Sequence, residues 1–186
     1  SLLNAVVTLL PSPAERMAVY PVPGIDPETG QSCERKGGMQ EPFSGLIFKT
    51  IIDPFLGRLS YCRVLSGTIQ SDSTVLNGTR HVREKLGHFY TILGKKHVAV
   101  SSAKSGDIVA IGKLKDTQTG DTLCHESAPI RYPGLGLPRP VLSFAIEAKS
   151  KSEIDKVSLG LHKLIEEDPT LEFVRNPETK EMVLSG

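Results

Sequence analysis

Between Phe43 and Arg131 the chain cannot keep one regular element going for long. Short runs rich in Ile, Val, Leu and Tyr alternate with turn signals at close spacing, which is the pattern of an all-β unit. The runs fall at about Phe43–Ile52, Arg58–Gln70, Ser73–Leu76, Val82–Leu93, Ile108–Ile111 and Thr122–His125. Asp53-Pro54-Phe55-Leu56-Gly57 interrupts the first pair. Asn77-Gly78 predicts a two-residue hairpin, because both residues tolerate positive φ. Ser105-Gly106-Asp107 and Thr119-Gly120-Asp121 add further turns. Short strands in such a series close most economically into a small barrel, which leaves no exposed edge.

The flanks differ. Ser1–Leu10 reads as a helix stub capped by Ser1, with a wide apolar face, ended by Pro11 and Pro13. Ten residues are too few to be helical alone, so the stub is expected to dock on something. It begins abruptly, without Met, as a piece cut from a longer protein would. Residues 14–42 read as a Pro/Gly-rich linker with little sheet, and residues 132–140, containing PGLGLPRP, as a second, stiffer one. Residues 141–186 read as strand, helix, strand, strand. Leu142, Phe144 and Ile146 share a strand face. Ser150 and Glu153 have capping-box spacing, and Ile154, Val157, Leu161, Leu164 and Ile165 form one helical stripe. This order resembles the first part of a split βαβ, ferredoxin-like domain, with the third strand expected between the first two and one edge of the first left open. The fold class is therefore multidomain, mainly β plus α+β.

Composition narrows the function. Twenty-two basic and 21 acidic side chains give a formal charge of +1, so any nucleic-acid contact must rest on a local patch. The hydrophobic content of 39% and the lack of a long apolar run argue for a soluble chain with no membrane span. Three scattered cysteines, Cys33, Cys62 and Cys124, lack zinc-ligand spacing and read as reduced thiols of a cytoplasmic protein. No GxxxxGK[ST] and no Asn-Lys-x-Asp occurs, so a nucleotide site is not expected in this chain. The five His and the Cys residues form no nucleophilic signature. Glu166, Glu167 and Asp168 crowd the negative end of the predicted helix, where they are locally unfavourable.

The best binding candidates are basic. Arg80, His81, Arg83 and Lys85 follow the Asn-Gly turn, Lys95, Lys96 and His97 lie past the next strand, and Arg58 and Arg63 flank the DPFLG turn. On a barrel these could form a cationic rim for phosphates, with Arg58, Arg80, Arg83 and Lys85 as the chosen RNA contacts. Alternation along a strand means that not all can point one way. An ordinary solvated loop surface is the competing reading.

Taken together, DPFLGRL, VLSG, SGDIVAIG and LKDTQTGDTLC, in that order, with LHKLIEEDPTL and the closing LSG, resemble elongation factor G over nearly the whole chain. The resemblance implies that residues 1–13 end a GTPase-domain helix, residues 43–131 are the second-domain barrel, and residues 141–186 begin the third domain. It also implies a ribosome-docking role in translation elongation, with small-subunit ribosomal RNA and protein as partners. GTP and Mg would belong to a missing GTPase domain, and this fragment would have neither cofactor nor catalysis of its own. A ribosome-protection factor of the tetracycline-resistance type and a protein-interaction barrel without RNA contact are the alternatives.

Overall fold

The computed structural model describes residues 1–94, 96–177, 179 and 181–186. Helix α1 (Leu2–Leu9) is capped as expected, Ser1 Oγ accepting from the Asn4 amide at 3.4 Å. None of its residues is buried. Pro13 does not stop a helix but starts one, α2 (Pro13–Val19). Its preset φ suits the first helical position, where an N–H would be unpaired anyway. Ser12 and Glu15 form the capping box, with the Ser12 amide donating to Glu15 Oε2 at 2.7 Å and the Glu15 amide to Ser12 Oγ at 3.3 Å.

The expected linker also holds a hairpin, β1 (Val22–Ile25) against β2 (Ser32–Arg35). The turn residues that read as linker are what close it. Asp26 Oδ1 accepts the Glu28 and Thr29 amides at 2.8 and 3.1 Å, and Gly30 takes φ +72°. Ile25 bridges to Arg131, and Arg35 donates to the Ala128 carbonyl at 2.7 Å, so the hairpin is tied to the end of the β unit.

The β unit comprises β3 (Ser44–Asp53), β4 (Gly57–Ser66), β5 (Thr68–Gln70), β6 (Thr74–Asn77), β7 (Val82–Lys85), β8 (Phe89–Leu93), β9 (Lys96–Val100), β10 (Ser102–Lys104), β11 (Ile108–Gly112) and β12 (Thr122–Cys124). Two long runs expected from sequence are each cut in two. Gly67 bends the first with φ +70°. At Gly87 the backbone passes so close to Gly112 that a Cβ would lie 2.3 Å from its carbonyl oxygen. Asn77-Gly78 does begin a hairpin turn, but not the two-residue one. Asn77 Oδ1 holds the Thr79 and Arg80 amides, each at 3.0 Å, and the positive φ falls on His81 at +59°.

The strand order is β7-β6-β12-β3-β4-β11-β8-β9, with β5 and β10 paired as a separate ribbon. This order has two ends, so the closed ladder expected of a barrel is not formed among the described residues. The sheet instead curls. Register shifts at Ser44/Gly45 and Ile47/Lys49 mark irregularities in the β3–β4 pair that increase local twist. His97 on β9, at the end of the order, reaches Asp53 at the end of β3 with Nε2 3.9 Å from Oδ2. One core lies inside the curl, with Ile47, Cys62, Val64, Leu86, Phe89, Ile111 and Leu123 at 1% exposure or less. The ribbon adds Ile69 and Ala103 to the same core.

Residues 133–142 form no strand or helix. The last unit has β13 (Ser143–Ile146), a single 3₁₀ turn at Lys151–Glu153, α3 (Ile154–Glu167), β14 (Glu172–Arg175) and β15 (Met182–Ser185). The strand order β13-β15-β14 puts the third strand in the middle, as expected. The Ser150–Glu153 capping box is not formed. Ser150 Oγ is 3.0 Å from Ser152 Oγ, and the 3₁₀ turn, rather than a side chain, leads into α3. Of the predicted stripe only Leu161 is fully buried. Helix α3 packs on β14 and also on β3 of the β unit. Phe144 on the outer strand stays 63% exposed. Part of the turn at Asn176-Pro177-Glu178-Thr179 lies outside the described residues. No described helix is long and apolar enough to cross a membrane.

Candidate nucleic-acid interface

Strand β7 alternates, as a strand with one face on a core must. Arg83 and Lys85 are exposed while Glu84 between them is 2% exposed. Val82, Glu84 and Leu86 therefore share the inward face, and a carboxylate placed there needs donors. It finds them in the loop after β11. Glu84 Oε1 accepts the Asp116 and Thr117 amides at 2.6 and 2.8 Å and the Thr117 hydroxyl at 3.0 Å, and Oε2 accepts the Lys115 amide at 3.3 Å.

A second buried acid completes the support. Asp121 Oδ2 accepts Asn77 Nδ2 at 3.0 Å, the Gln118 amide at 2.8 Å and Arg80 Nε at 2.6 Å. Arg80 Nη2 donates to Gln118 Oε1 at 2.6 Å. From the other side, Arg58 Nη2 donates to the Thr117 carbonyl at 2.6 Å and Nη1 to the Lys115 carbonyl at 3.4 Å. Arg58 Nε also lies 3.7 Å from Glu166 Oε2.

The four expected contact residues thus divide. Arg58 and Arg80 grip the loop spanning residues 115–121, and their guanidinium groups are largely spent on it. Arg83 and Lys85 stand side by side on the outer face of β7. Arg83 pairs with Glu126, both side chains more than half exposed, and a pair so wet contributes little to stability. Lys85 enters no salt bridge among the described residues. His97 pairs with Asp53, whose carboxyl is held below its usual range by the Leu56 and Phe55 amides. Lys95 lies outside the described residues. Phe55, at the tip of that Asx turn, is 95% exposed.

Glu84, Asp121 and Asn77 were missed as organising residues. The alternation Val82, Glu84, Leu86 carried the signal, since it puts an acid on an apolar face. The cysteines are free. Burial alone pushes the Cys62 thiol up to about 12, and burial also raises Cys124 and Cys33. No group of His, Cys, Asp or Glu able to hold a metal occurs among the described residues.

A curled β unit with a braced cationic edge, followed by the opening of a split βαβ sheet, defines a two-part, mostly β chain. Its sequence matches the family profile for elongation factor G domain 2 over residues 42–126 and that for elongation factor G domain III over residues 137–186. Elongation factor G from each of two strains of Dehalococcoides mccartyi (BAV1 and CBDB1) is 44% identical over 185 residues, covering 100% of this chain and 26% of the relative. A crystal structure of a protein from Thermus thermophilus superposes with a TM-score of 0.74 at 27% identity, covering 100% of this chain and 25% of that one. The chain belongs to the elongation factor G family and carries its domain 2 and domain III sequence. It spans about a quarter of the length of the curated relatives it matches.

Proposed function

We propose that this chain is the ribosome-docking part of an elongation factor G-type protein acting in translation elongation in the cytoplasm. The observation that carries this reading is the colinear match to two successive domains of one factor, at 44% identity across the chain. The β unit, residues 43–131, serves as the second domain. Its curled sheet is read as the translation-factor barrel, completed by side-chain packing where the ladder stays open. Residues 141–186 serve as the start of the third, ferredoxin-like domain, and residues 132–140 as the joint.

The mechanism is mechanical and electrostatic. Arg83 and Lys85 meet small-subunit ribosomal RNA phosphates by charge-assisted contact. Arg58 and Arg80 act one step back, by bracing the loop beside β7. The third-domain part lies near a small-subunit ribosomal protein. Nothing in this chain fits a guanine nucleotide, because the phosphate-cradling loop and the guanine-reading motif are both missing from its sequence. GTP, Mg and hydrolysis are assigned to a GTPase domain beyond these residues, and the two units reorient about the joint when that domain changes state.

Co-sedimentation with purified small ribosomal subunits tests this. The chain should pellet with the subunits at low salt and be released by competitor ribosomal RNA. Pelleting that competitor RNA leaves untouched, or none at all, would overturn the reading in favour of a protein-interaction module.

A further inference from the structure

The acidic end of α3 has a use that its own helix does not explain. Carboxylates at a helix C-terminus face the negative end of the dipole. Here two of them leave the helix for the β unit. Glu167 Oε1 accepts the Ile52 amide at 2.6 Å, and Glu166 lies 3.7 Å from Arg58. The Ile52 amide is available because β12 is short. Its ladder with β3 covers Ser44–Leu46, and backbone bonds from Gly120 and Asp121 extend the cover to Ile47, so past Ile47 this edge of β3 pairs with no strand among the described residues. An uncovered strand edge presents unpaired N–H groups. Leu164, one turn back on α3, is 47% exposed and lines the same cleft with Phe48 and Ile51. Polar contacts therefore stand beside the apolar ones where α3 meets β3.

We propose that Glu166 and Glu167 form a releasable latch that holds the third-domain part in one orientation on the second. Glu167 fastens the open edge of β3. Glu166 ties α3 to Arg58, whose other nitrogens hold the loop at Lys115–Thr117. Arg58 is therefore a positioning residue that links the braced loop beside β7 to the orientation of α3. This deepens the proposed hinge role and rests on it.

Amide hydrogen exchange of the full chain reads the latch directly. In Glu167→Ala the Ile52 amide loses its acceptor and should exchange roughly tenfold faster or more. The Val64 amide, bonded to the Asp107 carbonyl at 2.9 Å, should keep its protection and so shows that the fold is intact. Glu167→Gln retains an acceptor oxygen and should restore much of the Ile52 protection. Spin labels at Gln70→Cys and Lys156→Cys, in a Cys33→Ser background, should give a narrow distance distribution that broadens in Glu166→Gln/Glu167→Ala. Unchanged Ile52 exchange in Glu167→Ala overturns the latch. Faster Ile52 exchange with an unchanged distance distribution also overturns it, because the contact would then not set the orientation. Neither result touches ribosome docking, which co-sedimentation reads separately.

Discussion

The β unit and the C-terminal unit are built to different standards. The first encloses a core contributed by nearly all its strands, with many side chains at zero exposure. Among its described residues the second buries only Leu161 and Met182, and exposes Val141, Leu142, Phe144 and Val174. Its helix leans on β3 as well as on its own β14. Stability should therefore be unevenly spread, high in the first unit and low in the second.

The sharpest way to break this contrast is a cavity in the larger core. Phe89→Ala should cost about 3–5 kcal/mol, read from urea unfolding, and lower the stability of the β unit throughout. A loss under about 1 kcal/mol would mean that the strands do not share one core. Leu161→Ala should cost about 2–3 kcal/mol, but locally. Amide exchange should rise in β13, α3 and β15 while Val64 stays protected. If both units melted together, the contrast would fail.

Glu84→Gln comes next. It leaves the Lys115 amide facing an NH₂ group instead of an oxygen and replaces charge-assisted bonds by neutral ones, at about 1–2 kcal/mol. The nuclear magnetic resonance shifts of Lys115–Thr117 should move while those of β14 stay put.

Cys62 gives a smaller effect at alkaline pH. Its thiol holds its proton up to about 12 when folded, against an ordinary value of 9.0. Below pH 9 both folded and unfolded chains keep that proton and the contribution is intact. Between pH 9 and 12 the unfolded chain loses it and the folded chain does not, so stability declines as pH rises. Cys62→Ala should make that alkaline decline shallower. At pH 8 an alkylating reagent should reach half-buried Cys33 well before Cys62. Smallest of all, Lys85→Glu on the outer face of β7 should change stability by no more than about 0.5 kcal/mol.

Much of the fold was legible because its signals are local. Most of the strand runs, the Asp53–Gly57 turn and helix α3 follow from spacing, whereas the central place of β15 follows from the likeness to a split βαβ sheet, and β9 and β10 lie in no expected run. What stayed hidden depends on distant partners. Pro13 starts a helix only because Ser12 and Glu15 close a box around it. The hairpin in residues 22–35 looks like a linker until Ile25 meets Arg131. The cuts at Gly67 and Gly87 come from backbone passing close by, which no window of sequence reveals. At the candidate interface, alternation along β7 separates the inward Glu84 from the outward Arg83 and Lys85. It did not tell that Arg58 and Arg80 would be the ones turned to carbonyls and acids, since those partners lie tens of residues away.

The most direct test is a salt titration of small-subunit binding, comparing the unaltered chain with Arg83→Glu/Lys85→Glu. Arg83 pairs with the exposed Glu126 and Lys85 enters no salt bridge among the described residues, so their reversal acts at the surface. The account predicts weaker binding at every salt concentration and a shallower dependence of log affinity on log salt, by about 1–2 in slope for two lost phosphate contacts. Equal affinity and equal slope for the two proteins would contradict it and remove the β7 edge from the interface.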